Sequence, residues 1–142
     1  MNTSEFILLE EVPGIEEYQN LRVICGLSPR SLEAASKGLP NSLFSITIRD
    51  QDSLIGIGRV VGDGGCNLEV VDIAVHPEFQ QRGIGQMIMT RIMAFIENNA
   101  PVSAYVSLIA DDHSPALYSK YGFELTTPRS VGMALKVNAR DT

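Results

Sequence analysis

Apolar residues along the chain follow two spacings, and the switches between them mark out its elements. Residues 6–12 (FILLEEV) begin with an apolar run that reads as a strand, closed by Pro13 and Gly14. Over 15–27 the spacing changes: Ile15, Tyr18, Leu21, Val23 and Ile24 recur loosely at helical intervals. Ser28 and Pro29 then offer an N-cap and a first-turn proline, predicting a second helix that ends near Gly38. Partial alternation of β-branched residues over 43–49 (LFSITIR) predicts a strand, and the turn Asp50-Gln51-Asp52 leads to a hairpin partner over 54–61 (LIGIGRVV). Beyond Asp63-Gly64-Gly65, residues 68–75 (LEVVDIAV) are apolar on both faces. Alternation puts Leu68, Val70, Asp72 and Ala74 on one face and Glu69, Val71, Ile73 and Val75 on the other, the pattern of a central strand covered on both sides.

Ile84, Met87, Ile88, Arg91, Ile92, Phe95 and Ile96 return to helical spacing and predict a long amphipathic helix over 83–98, stopped by Asn99-Ala100-Pro101. Residues 102–109 (VSAYVSLI) read as a further strand. Ser114-Pro115 starts a short helix through Lys120 that Gly122 closes. The last two strands, 123–127 and 131–137, are expected to pair around Thr127-Pro128-Arg129. The order β-α-α-β-β-β-α-β-α-β-β predicts an α/β fold, a mixed and largely antiparallel sheet flanked by helices. No repeat, low-complexity stretch or linker divides the chain, so 1–142 is expected to be a single domain, large enough to bury its own core.

Composition narrows the function classes. With 44% hydrophobic and 20% charged residues the chain lies well inside the globular range. It carries no apolar run of membrane-spanning length, and its first residues, Met1 to Glu5, lack the basic start and apolar core of a signal peptide, so no membrane partner and a cytoplasmic location are expected. Cys25 and Cys66 match no metal-ligand spacing; no metal is expected, and both thiols read as small hydrophobes. A net charge of −6 argues against a nucleic-acid partner, whose phosphates need a basic surface, and weakly favours a cationic substrate such as an amine.

The segment richest in chemistry is 71–86, VDIAVHPEFQQRGIGQ. A central strand ends at Val75, a proline-bearing turn follows, and Gln80-Gln81-Arg82-Gly83-Ile84-Gly85 opens the long helix. The first amides of a helix have no internal partner and lie at its positive end, so this junction suits an anion. Glycines at 83 and 85 would let a phosphate approach the backbone, and Arg82 could add charge. A bare GxG reads first as a tight turn. Two phosphate-binding alternatives fail: Gly83 is followed by Ile-Gly-Gln rather than the Lys and Ser/Thr of a P-loop, and Ile88 stands where the dinucleotide fingerprint needs a third glycine.

LEVVDIAVHPEFQQRGIG resembles motif A of the GNAT superfamily of acyl-CoA-dependent N-acyltransferases, with Gln80, Gly83 and Gly85 in the hallmark places. A second block, Ala116 to Phe123 (ALYSKYGF), resembles the family's Leu-Tyr-x-x-x-Gly-Phe element, one helix and one strand further on. The likeness covers most of the chain and is strongest from Leu54 to Phe123. It implies central strands that splay apart, with the pantetheine arm of acetyl-CoA in the gap, paired with the backbone of Ile73, Ala74 and Val75. It also implies a pyrophosphate on the amides of Gln81, Arg82, Gly83, Ile84, Gly85 and Gln86. One departure stands out: Asp111 occupies a place that often holds Asn in the family, and Ser114 the small residue after it. The implied activity is acetyl transfer from acetyl-CoA to a small primary amine by direct attack in a ternary complex, with a non-catalytic acyl-CoA-binding module as the other reading. A homodimer through a terminal strand is a further expectation of the resemblance.

By the same resemblance Tyr118 is the general acid that protonates the departing thiolate; otherwise it is an amphipathic core tyrosine, and Tyr121 reads as packing. Glu69 stands where some family members keep a general base, and burial in an apolar strand would raise its pKa toward that role. Asp72 has similar credentials, ordered water is a third candidate, and either acid could instead pair with Arg59. His76 and His113 read as solvent-facing turn residues. Neither cysteine has a basic neighbour in sequence to activate it, which disfavours a covalent acyl-enzyme. A backbone N–H near residues 73–75 could hold the tetrahedral oxyanion.

Overall fold

The computed structural model describes residues 6–111 and 114–138; His113 and the opening residues 1–5 lie outside them. The chain divides after Leu108 into two units, described here in turn. The first holds β1 (Phe6–Glu10), α1 (Ile15–Ile24), α2 (Leu32–Gly38), a 3-10 turn at Leu39–Asn41, β2 (Phe44–Asp50), β3 (Ser53–Gly62), β4 (Asn67–Val75), α3 (Ile84–Asn99) and β5 (Tyr105–Ser107). Its strands form one sheet in the order β1-β2-β3-β4-β5, antiparallel except for the parallel β4–β5 pair. This is the mixed, largely antiparallel architecture expected. No helix among the described residues is long and apolar enough to cross a membrane.

The two faces of the sheet are covered differently. On one, Ile57 and Ala74 pack with Tyr18 and Leu21 of α1 and with Ala35 and Leu39. On the other, α3 lies so close that a Cβ on Gly58 would stand 2.6 Å from Ile88 and 3.0 Å from Ile92, which is why glycine occupies that position. Phe44 stacks on Phe95 at 4.8 Å between centroids, extending that core.

Local chemistry sets the helix starts. Glu17 accepts a hydrogen bond from the Gly14 N–H at 2.9 Å, closing the first turn of α1. The second helix begins three residues later than Ser28 and Pro29 predict. Ser31 is its N-cap, accepting from Ala34 N–H at 3.0 Å. The Ser28 carbonyl is taken by Arg22 Nε, and both the N–H and the carbonyl of Arg30 by the Gln19 amide, so these residues are tied to α1 instead of starting a helix.

Strict alternation fails in β4. Ile57 pairs with Ala74 and Arg59 with Val71, so Gly58 faces two residues, Asp72 and Ile73. This is a β-bulge, and Asp72 takes the left-handed conformation at φ 60°. The extra residue shifts the phase: the Asp72 side chain turns to the α1 side and meets Tyr18 and Arg22, whereas Ile73 reaches the α3 side beside Gly58. Glu69, opposite Val61, lies on the face of Arg59. The predicted separation of Glu69 and Asp72 onto opposite faces is therefore incorrect.

The strand predicted over 102–109 shortens to Tyr105–Ser107. A turn with Ser103 at φ 75° and an Ala104 N–H to Pro101 carbonyl bond occupies its expected start.

The second unit contains α4 (Pro115–Ser119), whose first turn is tied down by Ser114 N–H and Oγ donating to the Asp111 carbonyl. Here the prediction of two final strands is corrected: neither 123–127 nor 131–137 forms a ladder among the described residues. Around Pro128 the backbone closes only a turn, with Ser130 N–H on the Thr126 carbonyl. A strand has no internal hydrogen bonds and an isolated hairpin is marginal in water, so alternation alone does not hold these residues in a sheet.

Candidate active site

The β4–β5 pairing is short. Asn67, Leu68 and Glu69 face Tyr105, Val106 and Ser107, and there it stops. β4 continues through six more residues, 70–75, whose edge on that side has no strand partner among the described residues. Main-chain donors and acceptors along such an edge are available to an extended ligand. Ile73, Ala74 and Val75 lie on this stretch, although the Val75 carbonyl already accepts from Gln80 Nε2 at 3.1 Å and from the Cys25 thiol at 3.3 Å.

The strand leads directly into the glycine-bearing loop. His76, a part-exposed turn residue, accepts on Nδ1 from Glu78 N–H at 3.1 Å and caps a 3-10 turn over Pro77–Phe79. Gln80 reaches back to Val75 and closes the loop. Gln81 at φ 64° and Gly83 at φ 80° are both left-handed, and Gly83 is the N-cap of α3 without a side-chain cap bond. Left-handed residues just before a helix start gather N–H groups for an anion, and the N-cap glycine brings no side chain of its own to them. Arg82 places its guanidinium 5.3 Å from the Phe79 ring centre. Ile84 is fully buried, so only its main chain can serve the loop. Thus Gln81, Arg82, Gly83, Ile84, Gly85 and Gln86 share one junction at the end of the unpaired β4 edge. These residues fit a phosphate-bearing ligand with an extended arm.

Under the bulge is a cluster that sequence reasoning missed. The Asp72 carboxylate accepts from Tyr18 Oη at 2.7 Å, Arg22 Nη1 at 2.8 Å and Arg59 Nε at 2.9 Å. Arg59 also donates to Ser42 Oγ, and Arg22 to the Ser28 carbonyl. All three charged side chains are nearly buried. Two guanidiniums and one carboxylate leave one net positive charge. With both oxygens engaged by these donors, Asp72 is not a free base; it takes the pairing with Arg59 that its place in an apolar strand required. The available signal was Tyr18 and Arg22, four residues apart on the buried stripe of α1, because a buried arginine needs an acid.

Glu69 is half-buried at the last β4–β5 pair, where the strands part, and among the described residues it makes no side-chain hydrogen bond or ion pair. Cys25 is half-buried, and burial pushes its thiol pKa up, away from the thiolate a nucleophile needs. Cys66 is exposed, in the Asp63–Asn67 turn.

Tyr118 belongs to the second unit, on α4. It is 9% exposed and meets Phe123 edge-on at 6.3 Å. Burial raises the phenol pKa, and the Asp111 carboxylate raises it further. Both effects keep its proton in place at neutral pH.

A mixed sheet parted between β4 and β5, with an uncapped helix start at the end of the open edge, is the architecture of GNAT acetyltransferases. Residues 41–125 match the acetyltransferase (GNAT) domain model, and the chain belongs to this family. It is 48% identical to a Staphylococcus aureus protein of unknown function described as a probable acetyltransferase, with a TM-score of 0.90 over 93% of this chain and 99% of that one. It is 32% identical to the uncharacterized N-acetyltransferase ycf52 of Gracilaria tenuistipitata var. liui, over 83% of this chain and 65% of that protein. It is 31% identical to the [ribosomal protein bS18]-alanine N-acetyltransferase of Salmonella typhimurium, over 61% of this chain and 57% of that protein. The chain thus spans less than two thirds of the length of these last two relatives.

Proposed function

We propose that this chain is an acetyl-CoA-dependent N-acetyltransferase whose acceptor is a small primary amine. The observation that carries this reading is the unpaired edge of β4 running into the uncapped start of α3. In this reading the pantetheine arm adds to the edge at Ile73, Ala74 and Val75 as an extra strand would, and the pyrophosphate takes the amides of residues 81–86. Glu69, at the parting of the strands, removes a proton from the ammonium directly or through one water. The neutral amine nitrogen attacks the thioester carbon, and a backbone N–H near residues 73–75 holds the oxyanion. Collapse of the tetrahedral intermediate breaks the C–S bond; the Tyr118 phenol gives its proton to the thiolate and is restored by the second proton of the attacking nitrogen, while Glu69 returns its proton to solvent. The raised pKa of Tyr118 supports its role by keeping the donor protonated. Residues 1–142 act in this reading as one catalytic domain in the cytoplasm, and the four exposed apolar residues Val131, Met133, Leu135 and Val137 support association of two copies through that segment.

Acetyl-CoA-dependent thiol release across an amine library, with N-terminal alanyl peptides included, tests the activity. At a concentration one hundred times its Kd, acetyl-CoA should stabilise the fold by about 2.7 kcal/mol. Gly83→Val, which forces a β-branched residue to φ 80°, should remove that shift. Binding without turnover on any amine would make the chain an acyl-CoA-binding module; an undiminished shift in Gly83→Val would place the donor elsewhere.

A further inference from the structure

We infer that Asp72 is a positioning residue for acyl transfer, gripped by Tyr18, Arg22 and Arg59 so that the β4 bulge keeps its phase. This rests on the acetyl-CoA reading above. A bulge with a left-handed aspartate is strained, and a regular ladder is its natural competitor. Regular pairing would slip residues 73–75 by one against β3 and turn each to the opposite face. Ala74 would leave the core beside Tyr18 and Leu21, and Ile73 would leave the space that Gly58 opens for it.

The three donors oppose that slip from two directions. Tyr18 and Arg22 reach down from α1, and Arg59 reaches across from β3, so Asp72 is fixed against both the helix layer and the neighbouring strand. Arg59 is itself braced by Ser42, and Arg22 by the Ser28 carbonyl. What the bulge controls is the stretch that faces the gap beyond Glu69. The phosphate-binding junction has its own supports, the His76 cap on Glu78 N–H and the packing of α3 through Ile84, Ile88 and Ile92. The cluster therefore acts on the arm of the donor and not on its nucleotide end.

Two probes separate these ends: acetyl-CoA, and adenosine 3′,5′-bisphosphate, which lacks the pantetheine arm. Calorimetric titration of the full chain should show acetyl-CoA affinity falling by about tenfold in Asp72→Asn, as expected when hydrogen bonds to a charged group are lost, with bisphosphate affinity unchanged. Tyr18→Phe removes one donor and keeps the ring; it should shift acetyl-CoA binding the same way by about threefold. It decides the matter alone if Asp72→Asn does not fold. Equal loss of both probes would reduce the cluster to general stability and overturn the proposal. Unchanged acetyl-CoA affinity and kcat in folded variants would also overturn it. Failure of the wild-type chain to bind acetyl-CoA would instead overturn the acyltransfer reading, and this inference with it.

Discussion

β4 and residues 131–137 both carry apolar patterns that predict a strand, and they end in opposite environments. In β4, Leu68, Val70 and Ala74 are buried, and β3 and β5 supply ladder partners on either side. In the later segment, Val131, Met133, Leu135 and Val137 alternate along the chain and are 64–88% exposed. The later segment has the pattern of a strand with one apolar face, and 68–75 that of a strand apolar on both. The difference is the supply of an edge: β4 enters between neighbours, and 131–137 has no ladder partner among the described residues. Alternation states what a strand would bury; a partner decides whether it is a strand.

The largest expected effect tests whether the second unit supplies a catalytic group. Tyr118→Phe should lower kcat by about 10²–10⁴-fold and leave the acetyl-CoA-induced rise in Tm intact. In the wild type the acid form is the active one, and the phenol pKa is raised from its ordinary 10.0, so activity should be lost only as pH climbs beyond 10.0. That limb should vanish in the variant. Wild-type turnover in Tyr118→Phe would leave the second unit without a catalytic group.

A matched pair of glycines sharpens the contrast in packing. Gly58→Ala drives a Cβ to 2.6 Å from Ile88, and overpacking of this kind should cost about 1–3 kcal/mol in urea unfolding. Gly132→Ala meets nothing nearer than 3.9 Å and should change stability by less than about 0.5 kcal/mol. Similar costs at both sites would mean that the later segment is as tightly packed as the sheet.

A smaller effect belongs to the edge of the first unit. Glu17 has its carboxyl pKa lowered from 4.5, chiefly by its hydrogen bond from Arg49, with burial opposing and the Gly14 N–H assisting. A lowered folded-state pKa contributes stability above pH 4.5 that is lost as pH falls through the folded value. Glu17→Gln should therefore cost about 0.2–1 kcal/mol at neutral pH, a surface-pair magnitude, and nothing in strong acid. A constant deficit at all pH values would assign the loss to the helix cap instead.

The smallest effect on chain stability is expected where the apolar face is bare. Met133→Glu with Leu135→Glu should change unfolding free energy by no more than about 0.5 kcal/mol, since neither side chain is buried. On the proposed association of two copies, light scattering should find the wild type dimeric and the double variant monomeric at the same concentration. Identical masses for the two proteins would remove residues 131–137 from any interface.

Much of the candidate site was legible because its signals are local. Helical spacing from Ile84 to Ile96 located α3 within a residue at each end, and a glycine beside a strand end located the loop. The Asp72 cluster was not legible in the same way. Its members lie on α1, β3 and β4, and the bulge that brings the carboxylate to them breaks the alternation from which its direction was inferred. Asp72 in an apolar strand announced that a partner was needed, and Arg59 was within view; Arg22 and Tyr18 were not.

The sequence by itself determined the order of elements through α3, the glycine junction and the likeness to the GNAT family, because propensity, capping and turn chemistry act between residues a few positions apart. Only the tertiary structure decided which face Asp72 takes, how soon β4 and β5 part, and that 131–137 stays out of the sheet. Those outcomes depend on hydrogen bonds and packing between residues far apart in the chain, where one inserted residue inverts a face and a missing edge leaves a strand pattern without a strand.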